Sequence, residues 1–544
     1  MLNGGGQRLS AARHAAAGIR APAMPEATHD NQDRILAAIQ SVREPVRLVR
    51  NAHGETGVAS ETFDDGDPSL THIGTLPALY PEWLGERSFN ETHGTRFPYI
   101  VGEMARGIST TDMVIEAARA GLMGFYGSAG LSLDDIDQGL QRIKAALGSE
   151  VTRWGANLIH SPQHLGLEDE TVDLFLKHDV RNVSASALMA MSPAAVRFAA
   201  TGLSRGSDGR IHRRRFVFAK ISRTEVAEKF MAPASDEILR MLVSAGKITP
   251  IEAELAAEVP VAEDITVEAD SGGHTDNRPL TALFPEILRI KFEALRRYGY
   301  QRDIRVGAAG GLGAPGAVAA AFAMGAAYVL TGSVNQAACE SGLSRAGRVM
   351  LAAADMTDVA MAPAADMFEL GVNVQVLKRG TLFAQRAKRL YALYRRYDSL
   401  DDIPPEDRRA IEKDLFRDSL DAVWARTKSF FAKRDPAELA RAEADPKHQM
   451  ALVFRSYLFM GAQWAREGDE DRRADYQIWC GPAMGAFNAW CRGTFLEDVD
   501  QRGVKQIALN LLEGAAVISR AQQCRAAGCE VPQPAFEFVA RRLS

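Results

Sequence analysis

Two glycine signals, Gly310-Gly311-Leu312-Gly313 and Gly332-Ser333, sit inside residues 306–339, a run with no charged or histidine side chain before Glu340. Each follows a short apolar stretch, 304–308 and 327–331, and an alanine-rich helical stretch, 315–324, lies between them. Strand, glycine turn, helix, strand, glycine turn is how a barrel builds a phosphate cradle, because backbone N–H groups can approach an anion where no Cβ intervenes. Each charge-assisted bond of this kind contributes roughly 1.5–3 kcal/mol, so a few can hold a phosphate without lysine. Residues 311–316 also match the dinucleotide pattern G-x-G-x-x-G. That fold wants an acidic residue near the end of the next strand to hold a ribose hydroxyl. Here the strand ends Leu330-Thr331-Gly332-Ser333, with no carboxylate. The pattern therefore favours a phosphate held between two adjacent turns.

Further candidates stand at the ends of other β-prone segments. One ends Glu268-Ala269-Asp270-Ser271-Gly272-Gly273-His274-Thr275-Asp276-Asn277. An imidazole after paired glycines, facing a barrel mouth, can give or take a proton near neutrality. Gly102-Glu103-Met104-Ala105, with Gly107 after it, offers backbone against which a flat ring could lie. Asn157 has an amide that both donates and accepts, and Lys220 suits a ring's N1/O2 edge or a phosphate. His160 and His164 are four apart, but Pro162 separates them and no zincin glutamate accompanies them. No nucleophile elbow, Walker loop or kinase signature is present.

The elements that must position these groups follow a rhythm. β-prone segments lie at 97–102, 123–127, 152–158, 181–186, 215–221, 265–269, 304–308 and 327–331. Helical patterns lie at 111–120, 135–147, 168–178, 193–201, 235–246, 281–298 and 315–324. Eight alternations predict an α/β fold, a closed (β/α)8 TIM barrel, over 96–375. Between the fifth and sixth strands Thr249, Pro250 and Glu252 predict an extra helix with a capping box. Residues 1–33 read as a disordered tail. Residues 34–95 read as a compact preamble, with a helix over 33–41 and a strand over 46–50. The chain turns largely α-helical after the barrel: 376–503 reads as a helical subdomain over the mouth, for substrate or partner. Residues 504–544 carry a C-terminal helix that could return to complete the barrel wall. The apolar segment 478–488 reads as core.

Composition fits a globular chain, 46% hydrophobic and 24% charged. A net charge of −5 gives no reason to expect nucleic acid or an anionic membrane as partner. The run at 306–339 could span a bilayer by length, but its Ala, Gly and Pro315 suit a buried parallel sheet with a packed helix. The five cysteines form no C-x-x-C pair and point to a reducing, cytoplasmic compartment. Arg8, Arg13 and Arg20 precede the first acid, Glu26, without the apolar core of a secretory signal.

Taken together, Met104-Ala105, Asn157, Lys220, Ser271-Gly272-Gly273-His274, Gly310-Gly311 and Gly332-Ser333 resemble the FMN-dependent nitronate monooxygenase and enoyl reductase superfamily. Four longer stretches are similar to the PfaD-type trans-acting enoyl reductases of polyunsaturated fatty acid and polyketide synthases. They are 79–84 (LYPEWL), 268–276 (EADSGGHTD), 361–370 with 374–379 (MAPAADMFEL and VQVLKR) and 476–488 (YQIWCGPAMGAFN). Glu103 stands where the family usually carries a small neutral residue. The resemblance implies FMN held by the glycine turns, its ring against Gly102, Met104 and Ala105, and NADPH as hydride source. It implies hydride transfer to the β-carbon of an enoyl thioester on an acyl carrier protein, with His274 as acid or orienter of a water. The alternatives are a nitronate monooxygenase on the same barrel and a non-catalytic scaffold that docks onto a synthase. A homodimer is compatible with all three.

Overall fold

The computed structural model describes residues 26–59, 69–160, 165–187 and 190–544. The expected barrel is present. Its strands are β1 (Tyr99–Val101), β2 (Met123–Tyr126), β3 (Trp154–Ile159), β4 (Asn182–Ser186), β5 (Phe216–Ile221), β6 (Asp264–Glu268), β7 (Arg305–Ala309) and β8 (Val329–Thr331). They pair in parallel in chain order, and β8 closes on β1. β7 is buried along its whole length, which is why it reads as an unbroken apolar run after its first residue. Three helices lie between β5 and β6: Thr224–Met231, which the sequence pattern had not singled out, Asp236–Ser244, and Pro250–Ala256. The last carries the expected capping box. Glu252 N donates to Thr249 Oγ1 at 3.2 Å, and Thr249 N donates to Glu252 Oε2 at 2.8 Å.

The barrel interior is aromatic. Phe125, Phe216, Phe218 and Tyr328 fill it with Ile100, Met123 and Leu330. The short helix Arg87–His93 plugs the amino end, and Phe89 stacks on Tyr328 at 4.6 Å between ring centres. Beneath it, Arg305 Nε donates to Asp264 Oδ1 at 2.6 Å and Arg305 Nη2 to Asp264 Oδ2 at 2.7 Å.

At the amino terminus the helix spans Glu26–Gln40, so it starts earlier than the sequence reading placed it. Residues 1–25 of the expected tail lie outside the described residues. Val46–Asn51 forms the centre of a three-stranded sheet with Thr56–Val58 and Leu70–Leu76. The C-terminal helix Val504–Ala526 packs against Pro315–Ala323, after β7, and Thr111–Arg119, after β1. It thus covers the wall beside β8, and Arg520 ties it to the preamble by donating to the carbonyls of Val42, Glu44 and Pro77. A second apolar core joins helices Phe383–Arg396, Leu420–Arg434 and Pro446–Glu467 to a small sheet. That sheet pairs Gly273–His274 with Asn373–Leu377, and the latter with Val359–Pro363. No helix among the described residues is long and apolar enough to cross a membrane.

Candidate active site at the barrel mouth

A cavity of about 500 Å³ opens at the carboxyl end of the barrel, within the range usual for cofactor and small-molecule sites. Both glycine turns face it. Gly311 has φ +74 and Gly332 φ −116, and a Cβ on either would enter space empty to 4 Å. Gly310 does a different job. Its Cβ would stand 2.7 Å from the Ala269 carbonyl carbon, so it lets β6 and β7 come together behind the cradle. Ser333 also lines the cavity, and its Oγ accepts from Gly481 N at 3.2 Å.

Met104, Ala105, Asn157, Lys220, Ser271, Gly272, Gly273 and His274 line the same space. Gly102 does not. Its missing Cβ faces Leu330 and the Thr331 carbonyl, so it lets β1 close against β8. Asn157 spends its Nδ2 on Ser184 O (3.1 Å) and Ser186 Oγ (3.0 Å), which leaves its carbonyl oxygen for a ligand. The hydroxyl of Ser271 donates to Glu268 Oε1. The backbone of Gly272 lies against that of Cys480, where a Cβ would come within 2.8 Å of Cys480 N.

Lys220 Nζ lies 2.9 Å from Glu103 Oε1 and 3.2 Å from Glu268 Oε1. Burial pulls this ammonium down, but Glu103 and then Glu268 outweigh it and hold it above the ordinary lysine range. One cation thus faces two carboxylates. Glu103 is buried, and among the described residues neither of its oxygens has an aligned hydrogen bond. The contact with Lys220 is short enough for a charge-assisted bond, so Glu103 serves chiefly as the partner of that ammonium.

His274 is half-buried, and its strand is pinned antiparallel to Val374. Its Nε2 is 3.2 Å from Asp366 Oδ1. Burial lowers the imidazole, but the hydrogen bond and charge of Asp366, with Glu268 adding to them, raise it above the usual histidine value. With Nε2 turned to Asp366, Nδ1 is the nitrogen left to hold or release a proton.

Several lining residues escaped the sequence reading. Trp479 and Ala483 reach the cavity from the segment read as core, although Ile478, Cys480, Met484 and Phe487 are core as expected. That segment is fastened across the mouth. Gln336 Nε2 donates to Trp479 O at 2.6 Å, and Cys480 N donates to Gln375 O at 3.2 Å. His160, set aside as an unpromising metal ligand, lines the cavity with its Nδ1 2.9 Å from Glu168 Oε1. His164 lies outside the described residues. Arg106 and Asp366 also belong to the lining. Their signals were indirect: Glu103 stood out as a departure from the family pattern, and Asp366, Trp479 and Ala483 lie within the motifs that carry the resemblance.

Comparison with known proteins agrees with this architecture. The family profile described as nitronate monooxygenase matches residues 87–390. One described as acyl-carrier-protein S-malonyltransferase, inserted helical domain, matches residues 397–476. A polyunsaturated fatty acid synthase polypeptide of Thraustochytrium sp. is 46% identical over 81% of this chain and 30% of its own length. Polyketide biosynthesis protein PksE of Bacillus subtilis is 41% identical over 80% of this chain and 56% of its own length. The chain therefore spans about a third to just over half of these relatives. The crystal structure of the enoyl reductase domain of MlnA, from the macrolactin cluster of Bacillus amyloliquefaciens, superposes with a TM-score of 0.78 at 36% identity, over 82% of this chain and 99% of that one. The chain belongs to the nitronate monooxygenase family, in the PfaD-type group that its motifs predicted, alongside the enoyl reductase domain of MlnA.

Proposed function

We propose that this protein is an FMN-dependent, trans-acting enoyl reductase that uses NADPH to reduce the α,β-double bond of an enoyl thioester on an acyl carrier protein of a polyketide or fatty acid synthase. One observation carries the reading: two glycine turns with open Cβ positions share a cavity with a carboxylate-braced imidazole. The residues fit the cofactor's parts. Backbone at Gly311, Gly332 and Ser333 suits its phosphate, and Met104 and Ala105 suit a flat ring. Asn157 and Lys220, the latter braced by Glu103, suit the ring's polar edge. Bound there, FMN would supply the hydride chemistry, with NADPH as the source of reducing equivalents.

The chain's own part is to position, shield and move a proton. Trp479 and the segment around it line one side of the mouth and would shield part of it from water. His274, held by Asp366 with its affinity for protons raised, would deliver the proton from Nδ1 to the α-carbon. Charge developing on the thioester oxygen needs a donor, and Lys220 and Arg106 are cationic donors among the lining residues.

Purified protein loaded with FMN tests this. NADPH consumption that depends on a crotonyl thioester supports the reading. Oxygen uptake with a nitronate would assign the chain to nitronate oxidation instead. A preparation that retains no flavin absorbance once added FMN has been removed by desalting would point to a docking scaffold.

A further inference from the structure

Four permanently cationic side chains line the cavity: Arg106, Lys220, Arg223 and Arg455. Three are matched by neighbours. Lys220 has Glu103 and Glu268. Arg223 Nε lies 3.1 Å from Asp276 Oδ2, and Arg455 Nη1 lies 3.2 Å from Glu369 Oε1. Arg106 makes no ion pair among the described residues. Asp366, the carboxylate whose charge reaches it, is committed to His274.

Packing holds Arg106 in place. Its guanidinium lies 4.0 Å from the ring centre of Phe459, on the helical cap, and Nη1 donates to Phe459 O at 3.0 Å. Its stem runs past Gly130, where a Cβ would lie 3.2 Å from Arg106 Cγ. Its backbone is left-handed at φ 58, a conformation imposed on a residue with a side chain by its surroundings. Beside it stands Arg466, whose Nη2 lies 3.7 Å from the position of a Cβ on Gly107. Arg466 Nη1 donates to Gln463 Oε1 at 3.4 Å, its Nε is buried without a hydrogen bond, and it too makes no ion pair among the described residues. Burial presses the Arg106 guanidinium down to about 10; Asp366 opposes this and Arg466 adds to it, and the group stays charged at neutral pH. Two neighbouring guanidiniums without a counter-ion, one strained at a cavity rim, form an arrangement that an incoming anion relieves.

The geometry points to a phosphate subsite at the mouth, built by Arg106 and backed by Arg466, for the phosphate of a molecule that enters to react. It rests on the reading of a thioester and a pyridine nucleotide as ligands, and either could bring the phosphate: a phosphopantetheine arm or NADPH.

The test is equilibrium dialysis on the full FMN-loaded chain with four probes: crotonyl-phosphopantetheine, crotonyl-pantetheine, NADPH and NADH. If the arm is the source, Arg106→Gln weakens crotonyl-phosphopantetheine tenfold or more and leaves crotonyl-pantetheine unchanged. If the nucleotide is the source, NADPH weakens, with or without NADH, and both thioesters are unchanged. Arg106→Lys keeps the charge without the planar fork and recovers part of the loss, which separates a phosphate contact from a packing defect. The subsite is overturned if Arg106→Gln binds all four probes as the parent does, or if it weakens the pantetheine form as much as the phosphorylated one. A parent protein that takes up FMN but binds neither thioester nor nucleotide refutes the enzymatic reading itself.

Discussion

The two ends of the barrel treat charge in opposite ways. At the amino end His93, Asp264 and Arg305 are buried and their charges are paired: both carboxylate oxygens of Asp264 take guanidinium bonds, and His93 Nε2 lies 3.1 Å from Oδ2, while His93 Nδ1 is left without a hydrogen bond among the described residues. Burial lowers the His93 imidazole despite Asp264, so it serves as a neutral partner. At the carboxyl end one cation, Lys220, is shared by two carboxylates, and Arg106, which lines the cavity, makes no ion pair among the described residues. A buried network whose charges are paired contributes stability and invites no ion in. An incomplete one costs stability and is completed by a ligand. This division matches the general pattern of such barrels, in which function gathers at the strands' carboxyl ends.

The comparison can be broken at either end. The largest effect belongs to the amino end, where Asp264→Ala would leave Arg305 buried without its two carboxylate hydrogen bonds, with only the Glu263 carboxylate, 3.9 Å from Nη2, as counter-charge among the described residues. It should cost about 3–5 kcal/mol in chemical denaturation, whereas Glu103→Gln should stay within about 1 kcal/mol of the parent. Comparable losses from both would erase the distinction. Next comes His274→Ala, which should keep FMN bound and lose about a hundredfold or more in thioester turnover. Turnover at the parent rate would remove His274 from the mechanism. Gly332→Ala is sharper in kind though smaller. Its φ of −116 is open to any residue and its Cβ meets nothing, so melting should be unchanged while FMN binds about tenfold more weakly. Unaltered FMN affinity, by fluorescence titration, would take that turn out of the cradle.

The smallest effect is a difference in sign with pH. The raised proton affinity of His274 means that its pairing with Asp366 stabilises fully below the ordinary histidine range and fades as pH rises through the raised value. Asp264 is shifted the other way: burial opposes its ionisation, but Arg305 and His93 prevail. Its contribution is full above the ordinary aspartate range and is lost as pH falls. Asp366→Asn should therefore lower stability more at pH 6 than at pH 9. Asp366 is half-exposed, so screening keeps the difference below about 1 kcal/mol. A larger gap at pH 9 would contradict the assignment.

Much of the mouth was legible because barrel chemistry sits at strand ends. Once the strand ending at Glu268 was recognised, Ser271 to His274 had to emerge there, and Gly311 and Gly332 had to flank the last two strands. What the sequence reading misplaced depends on distant chain. Gly102 looked like a ring platform, but its contact is Leu330, more than two hundred residues on. Trp479 looked like core because its neighbours are core, yet the bridge from Val376 to Trp479 turns its face to the cavity. His160 gave no signal, because its partner Glu168 identifies it only once the helix Leu165–Lys177 has folded back beside β3.

By itself the sequence determined the barrel, its strand positions and the glycine turns, since apolar periodicity and missing side chains act over a few residues. Tertiary structure alone decided which charges are paired, which glycines open onto the cavity and which part of the helical region lines the mouth. Those outcomes depend on distances between groups remote in the chain, and only packing brings such groups together.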